Sequence, residues 1–506
     1  MRYDAAPGSF IGSLVEDTDQ GFGNPAATVR PSAPELNGVI RLITCGSVDD
    51  GKSTLIGRLL WDASPLYDDQ RAKLLKESPS LHGAKRPDFS RLVDGLMAEQ
   101  EQGITIDIAW HYFDTASRRV VIIDAPGHEQ YTRNMATGAS HADVAVLLVD
   151  AQAGIKRQTR RHLAILDLAG VRRVILAVNK MDLVGWSQAR FDDIALDFSG
   201  LAKRFPHLDW TAIPVSALGG DNVATRSPEM PWYSGPTFVQ YLEAAPTQEA
   251  NAASPFRMPI QTILRDGLGF RGLAGTITAG KVRVGDEVED ALSRRRSTVA
   301  SIRTMDGDLS SARCGQAVVL QLADDIDIGR GNVLANPGRP SHASSRFEAR
   351  LVWLANEGYS KTRGYLVRSA TDIAPVTALE IDSRLNMDTL ELEERGEAEA
   401  NSILSAHIEV ARPLALDLFE SHPDTGAFVI VDAITGGAVA GGVVLALKDA
   451  DVKRSAAAFS LTREMLDRGL CADLPIQGGD EAEFQRRANE VAILFRAAGI
   501  AVEIAA

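Results

Sequence analysis

Apolar residues recur in a regular order through the first half of the chain. Between residues 39 and about 243, short β-branched runs at 39–44, 120–123, 144–149 and 174–178 alternate with stretches of helical spacing. A run with no polar alternate suits a strand covered on both faces, so the pattern predicts a mainly parallel sheet wrapped by helices. Residues 244–255, with two prolines and several small or polar residues, read as a linker. Beyond them, residues 256–340 carry short alternating strands punctuated by Gly269, Gly272, Gly275, Gly280 and Gly285, as a small β-barrel requires. A second β-rich stretch follows at 347–447. Residues 448–506 change character and read as helical, with 481–498 amphipathic. The expected division is a loose leader over 1–37, an α/β domain over 38–248, β-barrels over 255–340 and 343–447, and a short tail over 448–506.

At 506 residues the chain is too long for one core. Its 45% hydrophobic and 24% charged residues are those of an ordinary globular protein, and the net charge of −14 disfavours broad attraction to nucleic acid or an anionic membrane. Proteins and small molecules are the partners this balance favours. Cys45, Cys314 and Cys471 are too widely spaced for a disulfide framework or a C-x-x-C metal site, which fits a reducing compartment. No apolar run in the chain is long enough for a signal peptide or a membrane span, so the expected location is the cytoplasm.

The chemistry sits at the ends of the apolar runs. Gly46, Ser47, Val48, Asp49, Asp50, Gly51, Lys52 and Ser53, followed by Thr54, fit the phosphate-binding pattern G-x-x-x-x-G-K-[ST] just after the first predicted strand. That spacing lets successive backbone N–H groups curl around a β-phosphate, while Lys52 reaches the β/γ oxygens and the Ser53 hydroxyl ligates Mg²⁺. Thr105, the one hydroxyl of Gly103-Ile104-Thr105-Ile106, follows an acidic helical run with Glu99 and Glu101. It is a candidate second Mg²⁺ ligand on a loop that would sense the γ-phosphate. The run 120–123 delivers Asp124, then Ala125, Pro126, Gly127 and His128. Asp124 is the acidic residue expected near Mg²⁺ through water, Gly127 lets its N–H approach the γ-phosphate, and His128 lies in reach of an in-line water.

Base identity is read from Asn179, Lys180, Met181 and Asp182. The Asp182 carboxylate accepts from guanine N1–H and the N2 amine, whereas adenine has an acceptor at N1 and no amine at C2, so GTP is expected. Asn179 would brace the phosphate loop and the base, the Lys180 stem would cover one purine face, and Ser216, Ala217 and Leu218 can offer a backbone N–H to guanine O6. His111, His141 and His162 read as ordinary surface or core histidines, and Cys45 as core.

These five elements, with residues 90–108 and the glycine-rich segment around 270–288, resemble the translational-type GTPases, the superfamily of elongation factor Tu. Within it the chain is most similar to the large GTPase subunit of bacterial sulfate adenylyltransferase. Three stretches favour that subfamily: the loop 46–54 with its Asp49-Asp50 pair, residues 130–138 (Gln-Tyr-Thr-Arg-Asn-Met-Ala-Thr-Gly), and Thr425-Gly-Ala-Phe428. The resemblance covers about 36–444 and implies a P-loop GTPase domain followed by two β-barrels. It further implies a complex, heterodimeric or higher, with a separate ATP pyrophosphatase-like small catalytic subunit. There ATP and sulfate would become adenylylsulfate and pyrophosphate, driven by GTP hydrolysis in which His128, Lys52 and Thr105 take part.

The tail resembles part of an adenylylsulfate kinase, in residues 468–474, 486–492 and 497–500. It lacks a phosphate loop between 444 and 460, and the family's acidic triplet falls on Thr462-Arg463-Glu464, so a degenerate α/β remnant without kinase activity is expected. A helix face using Arg486 and Arg487 for an anion or partner is the rival reading of this segment. Two rivals stand for the whole chain. A factor delivering aminoacyl-tRNA is disfavoured by Asp49-Asp50 and by 130–138, and a GTP-dependent scaffold by the hydrolytic set that includes His128.

Overall fold

The computed structural model describes residues 38–63, 80–81, 84–85, 87–93, 105, 107–246, 254–265, 270–394, 397–448, 459–461, 484–489, 491 and 502–504. The expected leader, Gly103, Ile104, Ile106, most of the tail and Cys471 lie outside them.

In the first domain, β1 (Val39–Cys45) runs into α1 (Lys52–Ala63). There follow β2 (Ala109–Asp114), β3 (Arg119–Asp124), α2 (Thr132–Ala139), β4 (Val144–Asp150), α3 (Arg157–Leu168), β5 (Arg173–Asn179), α4 (Gln188–Ala202), β6 (Asp209–Pro214) and α5 (Phe238–Ala244). The sheet order is β2-β3-β1-β4-β5-β6, parallel throughout except for the antiparallel edge strand β2. The unbroken apolar runs occupy the middle: Val144 through Val149 on β4 and Val174 through Val178 on β5 are all fully buried. Helices on both faces exclude water from them, at roughly 25 cal/mol per Å² of apolar surface removed. β2 instead alternates, with Trp110 and Tyr112 exposed, because an edge strand has one face in solvent. The parallel order puts the ends of β1, β3, β4 and β5 on one rim.

The next domain is an eight-stranded curled sheet between Arg257 and Ala335, with a two-stranded ribbon beside it. Its core is built from Phe256, Met258, Leu273, Val282, Val299 and Leu320. In the third domain the strand order is Tyr365–Arg368, Ala427–Asp432, Ala438–Lys448, His342–Trp353, Ile403–Leu416 and Ile373–Leu385. The last of these pairs back onto the first through Leu366 and Pro375, closing a barrel. Among the described residues, closure leaves this barrel no unpaired edge except where Leu392–Glu394 adds to it. In the tail, Phe459–Leu461 pairs in parallel with Val502–Ile504, so this stretch contains strands as well as the expected helix, of which 484–489 and 491 are described.

Two seams join the domains. Val352, Met387, Leu390, Ile403 and Val443 of the last barrel continue the core that covers one face of the α/β sheet. Between the barrels, Arg257 donates from Nε and Nη2 to the two oxygens of Asp417, each at 3.1 Å. Ser341 and Thr425 hydroxyls add hydrogen bonds of 2.7 Å to Asp417 Oδ2. Both side chains of this pair are about 5% exposed or less. Burial pushes the Asp417 carboxyl up, but the bonds from Arg257, Thr425 and Ser341 outweigh it and hold it below the usual range.

Arg257→Met would strand a buried carboxylate and is expected to destabilise the chain by about 3–5 kcal/mol, read by urea unfolding at pH 7. Because the Asp417 carboxyl is lowered, its share of stability is complete above the unfolded value near about pH 4 and fades as pH falls through the lowered value. The difference between variant and parent should therefore shrink in acid; an equal difference at pH 7 and pH 3 would exclude the pair as its source.

Candidate functional site

Backbone conformation sets the phosphate loop. Asp49 and Gly51 both have positive φ, at 68° and 94°, which turns the chain tightly between β1 and α1. At Gly51 any Cβ would collide with the Asn179 amide, so glycine is required for shape and space together. Inside the turn the buried Asp50 carboxylate accepts the Ser47 N–H at 2.7 Å through Oδ2 and the Lys156 ammonium at 2.6 Å through Oδ1. Lys52 donates to the carbonyls of Gly46 and Ser47, each at 3.0 Å. Burial lowers the pKa of Lys52, against the opposing pull of Asp124 and Asp50.

β3 lies beside β1 in a register that sets Asp124 opposite Thr44, whose hydroxyl donates to Asp124 Oδ1 at 2.8 Å. Ala125, Pro126 and Gly127 are buried behind the loop, and a Cβ on Gly127 would collide with Lys52 Nζ and the Gly46 carbonyl. His128 is exposed. Its Nδ1 accepts the Gln130 N–H at 3.3 Å, and its ring stands edge-on to Tyr131, centroids 6.1 Å apart. Next to it, Glu129 pairs with the buried Arg161 at 2.7 Å.

At the end of β5, Asn179 Nδ2 donates to the Asp50 carbonyl at 2.8 Å and its Oδ1 accepts the Ala217 N–H at 3.0 Å. The side chain thus ties the phosphate loop to the turn at Ser216. Lys180, with φ of 63°, is tethered to Asp150 Oδ2 at 2.8 Å. Burial raises and the Lys180 bond lowers the Asp150 carboxyl, with a net lowering. Met181 is buried, Asp182 half-buried on the following turn, and Leu218 exposed. The N–H of Ser216 goes to Asp221 and that of Ala217 to Asn179.

A cavity of about 400 Å³ opens over this rim, lined by Val48, Asp49, Gly51, Lys52, Ser53, Thr54, Thr105, Gly127, His128 and Lys180, together with Ser90. Among the described residues it gathers members of four of the five sequence elements. Asp124, Ala125 and Pro126 lie behind it, and Asp182 and Ser216 to Leu218 stand outside it, past Lys180. The hydroxyls of Ser53 and Thr105 with the Asp124 carboxylate are hard oxygen donors of the kind Mg²⁺ takes, and the Ser47 hydroxyl is buried without a partner, as a loop made for a ligand would leave it.

The sequence motifs do not single out Ser90, Thr44, Asp150 or Lys156. Asp150 could have been singled out, since it ends a buried strand as Asp124 and Asn179 do. Cys45 and His162 are buried, as a core reading requires. Burial holds the Cys45 thiol up at about 12 and the His162 imidazole down at about 3.

Residues 37–266 match the elongation factor Tu GTP binding domain, and residues 346–445 match the GTP-eEF1A C-terminal domain-like family. Sulfate adenylyltransferase subunit 1 of Teredinibacter turnerae is 43% identical over 81% of this chain and 88% of its own length. The chain belongs to the elongation factor Tu-like GTPase family. Sulfate adenylyltransferase subunit 1 of Laribacter hongkongensis is 44% identical over 81% of this elongation factor Tu-like GTPase and 86% of itself. The bifunctional enzyme NodQ of Rhizobium sp. strain N33 is 45% identical over 82% of the chain, which spans only 64% of that relative's length. Among the described residues, no helix of this GTPase is long and apolar enough to cross a membrane.

Asn179→Ala would leave the Asp50 carbonyl and the Ala217 N–H unpaired in the interior. The expected cost is about 2–4 kcal/mol of stability, with weaker GDP binding. Urea unfolding and a fluorescent-GDP titration check it; a variant matching the parent in both would remove Asn179 as the junction.

Proposed function

We propose that this chain is the GTPase subunit of a sulfate adenylyltransferase, in which GTP hydrolysis here drives synthesis of adenylylsulfate and pyrophosphate from ATP and sulfate on a separate, ATP pyrophosphatase-like catalytic subunit. The observation that carries the reading is the 43% identity to a protein named sulfate adenylyltransferase subunit 1 over 88% of that protein. The cavity over the rim supports it. Asp182 would read guanine through N1–H and N2, and the Leu218 N–H is the one of its turn left for O6. Lys180, tethered by Asp150, presents its stem to the purine face. Ser53, Thr105 and, through water, Asp124 would hold Mg²⁺, which would supply charge neutralisation to the phosphates. Lys52 exchanges two loop carbonyls for phosphate oxygens, regaining partners of full negative charge. His128 Nε2, left free by the Gln130 contact, orients the attacking water.

Coupling has a physical need. A phosphosulfate anhydride is a high-energy product, so its formation must be linked to a second favourable event, and GTP turnover is one. The link runs through the segment after Asp124, which the last barrel already touches. Asn401 donates to the Glu129 carbonyl at 3.2 Å, and Arg133 on α2 donates to the carbonyls of Leu354 and Ala438 at 3.4 and 3.1 Å. A change of order near His128 on loss of the γ-phosphate would reach that barrel, and through it the partner.

Co-purification with the small subunit, followed by an adenylylsulfate assay with and without GTP, tests the assignment. GTP should stimulate synthesis, and its failure to do so would end the reading. His128→Ala should keep GTP binding while slowing hydrolysis by roughly 10²-fold or more. Unchanged single-turnover hydrolysis would take His128 out of the mechanism.

A further inference from the structure

Lys156 belongs to none of the five nucleotide-binding elements, yet its ammonium lies 2.6 Å from Asp50 inside the phosphate loop. We infer that Lys156 is a positioning residue for the nucleotide: by cancelling the negative charge of the Asp50 carboxylate it lets that carboxylate stay inside a loop made for phosphates. The inference rests on the guanine-nucleotide reading of the cavity.

The Asp50 side chain is 1% exposed, and both of its oxygens are committed, Oδ2 to the Ser47 N–H and Oδ1 to Lys156. Its carbonyl is held by Asn179. The loop is therefore pinned from β5 and from the start of α3 at the same residue. A carboxylate in this place carries an electrostatic penalty, because the loop that holds it is to grip a polyanion and burial leaves little water to screen the repulsion. Lys52 cannot serve as its dedicated counter-charge if its amine is to be given to the phosphates. Lys156 can: it is about one-third exposed, lies 2.6 Å from the Asp50 carboxylate and is not among the residues lining the cavity. Its backbone is fixed too, since the Lys156 N–H donates to Thr159 Oγ1 at 3.1 Å at the start of α3.

The test uses the full chain and titrates fluorescent GDP and a non-hydrolysable GTP analogue into the parent, Lys156→Met, Lys156→Arg and the double variant Asp50→Asn/Lys156→Met, each checked for a cooperative thermal transition. Lys156→Met should weaken both nucleotides by at least about tenfold, since the loop serves the phosphates they share. Lys156→Arg, which keeps the charge, should stay within about threefold of the parent, and the double variant, which has no unpaired carboxylate, should recover most of the loss. Parent-like binding by Lys156→Met, or a double variant as weak as the single, would overturn the inference. A purely structural tether would give that second outcome. Should Lys156→Met not fold, the Arg variant and the double variant decide, and loss of binding in both would count against it. A parent that binds no guanine nucleotide would instead sink the reading of the cavity itself.

Discussion

A loop that grips a polyanion with backbone N–H groups must hold those groups unpaired and aimed one way, a state the chain does not adopt unless it is braced from outside. Here the brace is Asp50. Its carboxylate caps the Ser47 N–H, its carbonyl is taken by Asn179, and its charge is met by Lys156. Gly51 lets the Asn179 amide come close enough to do this. The phosphate loop thus depends on β5 and α3, elements more than a hundred residues downstream, and the order of the parallel sheet brings their ends to the same rim. Asn179 then passes the constraint on to the Ser216 turn, so the phosphate loop and that turn share one joint.

The start of α3 extends the same logic outward. Lys156 meets the phosphate loop, Arg161 meets Glu129 beside His128, and Arg157 pairs with Asp388 of the last barrel at 3.0 Å. These contacts differ in strength. Both partners of the Arg157 pair are about 60% exposed, which places it among ion pairs worth about 0–1 kcal/mol, while the Arg161 side chain is 6% exposed and its link to Glu129 is the less screened. The helix is held firmly to the nucleotide side and loosely, in charge terms, to the barrel.

What could be read from the sequence follows from what each feature needs. The buried strands β3, β4 and β5 show as unbroken apolar runs because both faces are covered, and the motif residues follow them because parallel strands deliver their ends to one rim. The half-exposed edge strand β2, with its alternating burial, offers a weaker signal and was not separated from its surroundings. Asp50 was legible as part of a pattern but its role was not: nothing in a glycine-rich loop tells whether a carboxylate faces the phosphates or turns inward to a lysine 106 positions away. The Arg257 and Asp417 pair, 160 positions apart, has no periodic trace either. In the tail, three-residue strands are too short to impose a pattern on a stretch of helical spacing.

The two seams between domains differ in the same physical terms. Between the barrels, a carboxylate and a guanidinium are both buried and fully bonded, so separating them exposes nothing useful and strands two charges. Between the GTPase domain and the last barrel, the ion pairs Arg157 with Asp388, Arg204 with Glu391 and Arg350 with Asp167 all keep a quarter or more of each side chain in solvent. Beside that seam lies an open, largely apolar cavity of about 450 Å³ between α2, α3 and the barrel wall, lined by Ala136, Ile165, Leu168, Val352 and Phe428. Atoms lining an open groove lack packing partners there, and exposed pairs trade their contacts for water at little cost. The charged contacts of the seam that must change if the state of the nucleotide is to be felt beyond its own domain therefore exchange readily for water, while its shared core of Val352, Met387, Leu390, Ile403 and Val443 resists full separation and the two barrels are pinned to answer as a unit.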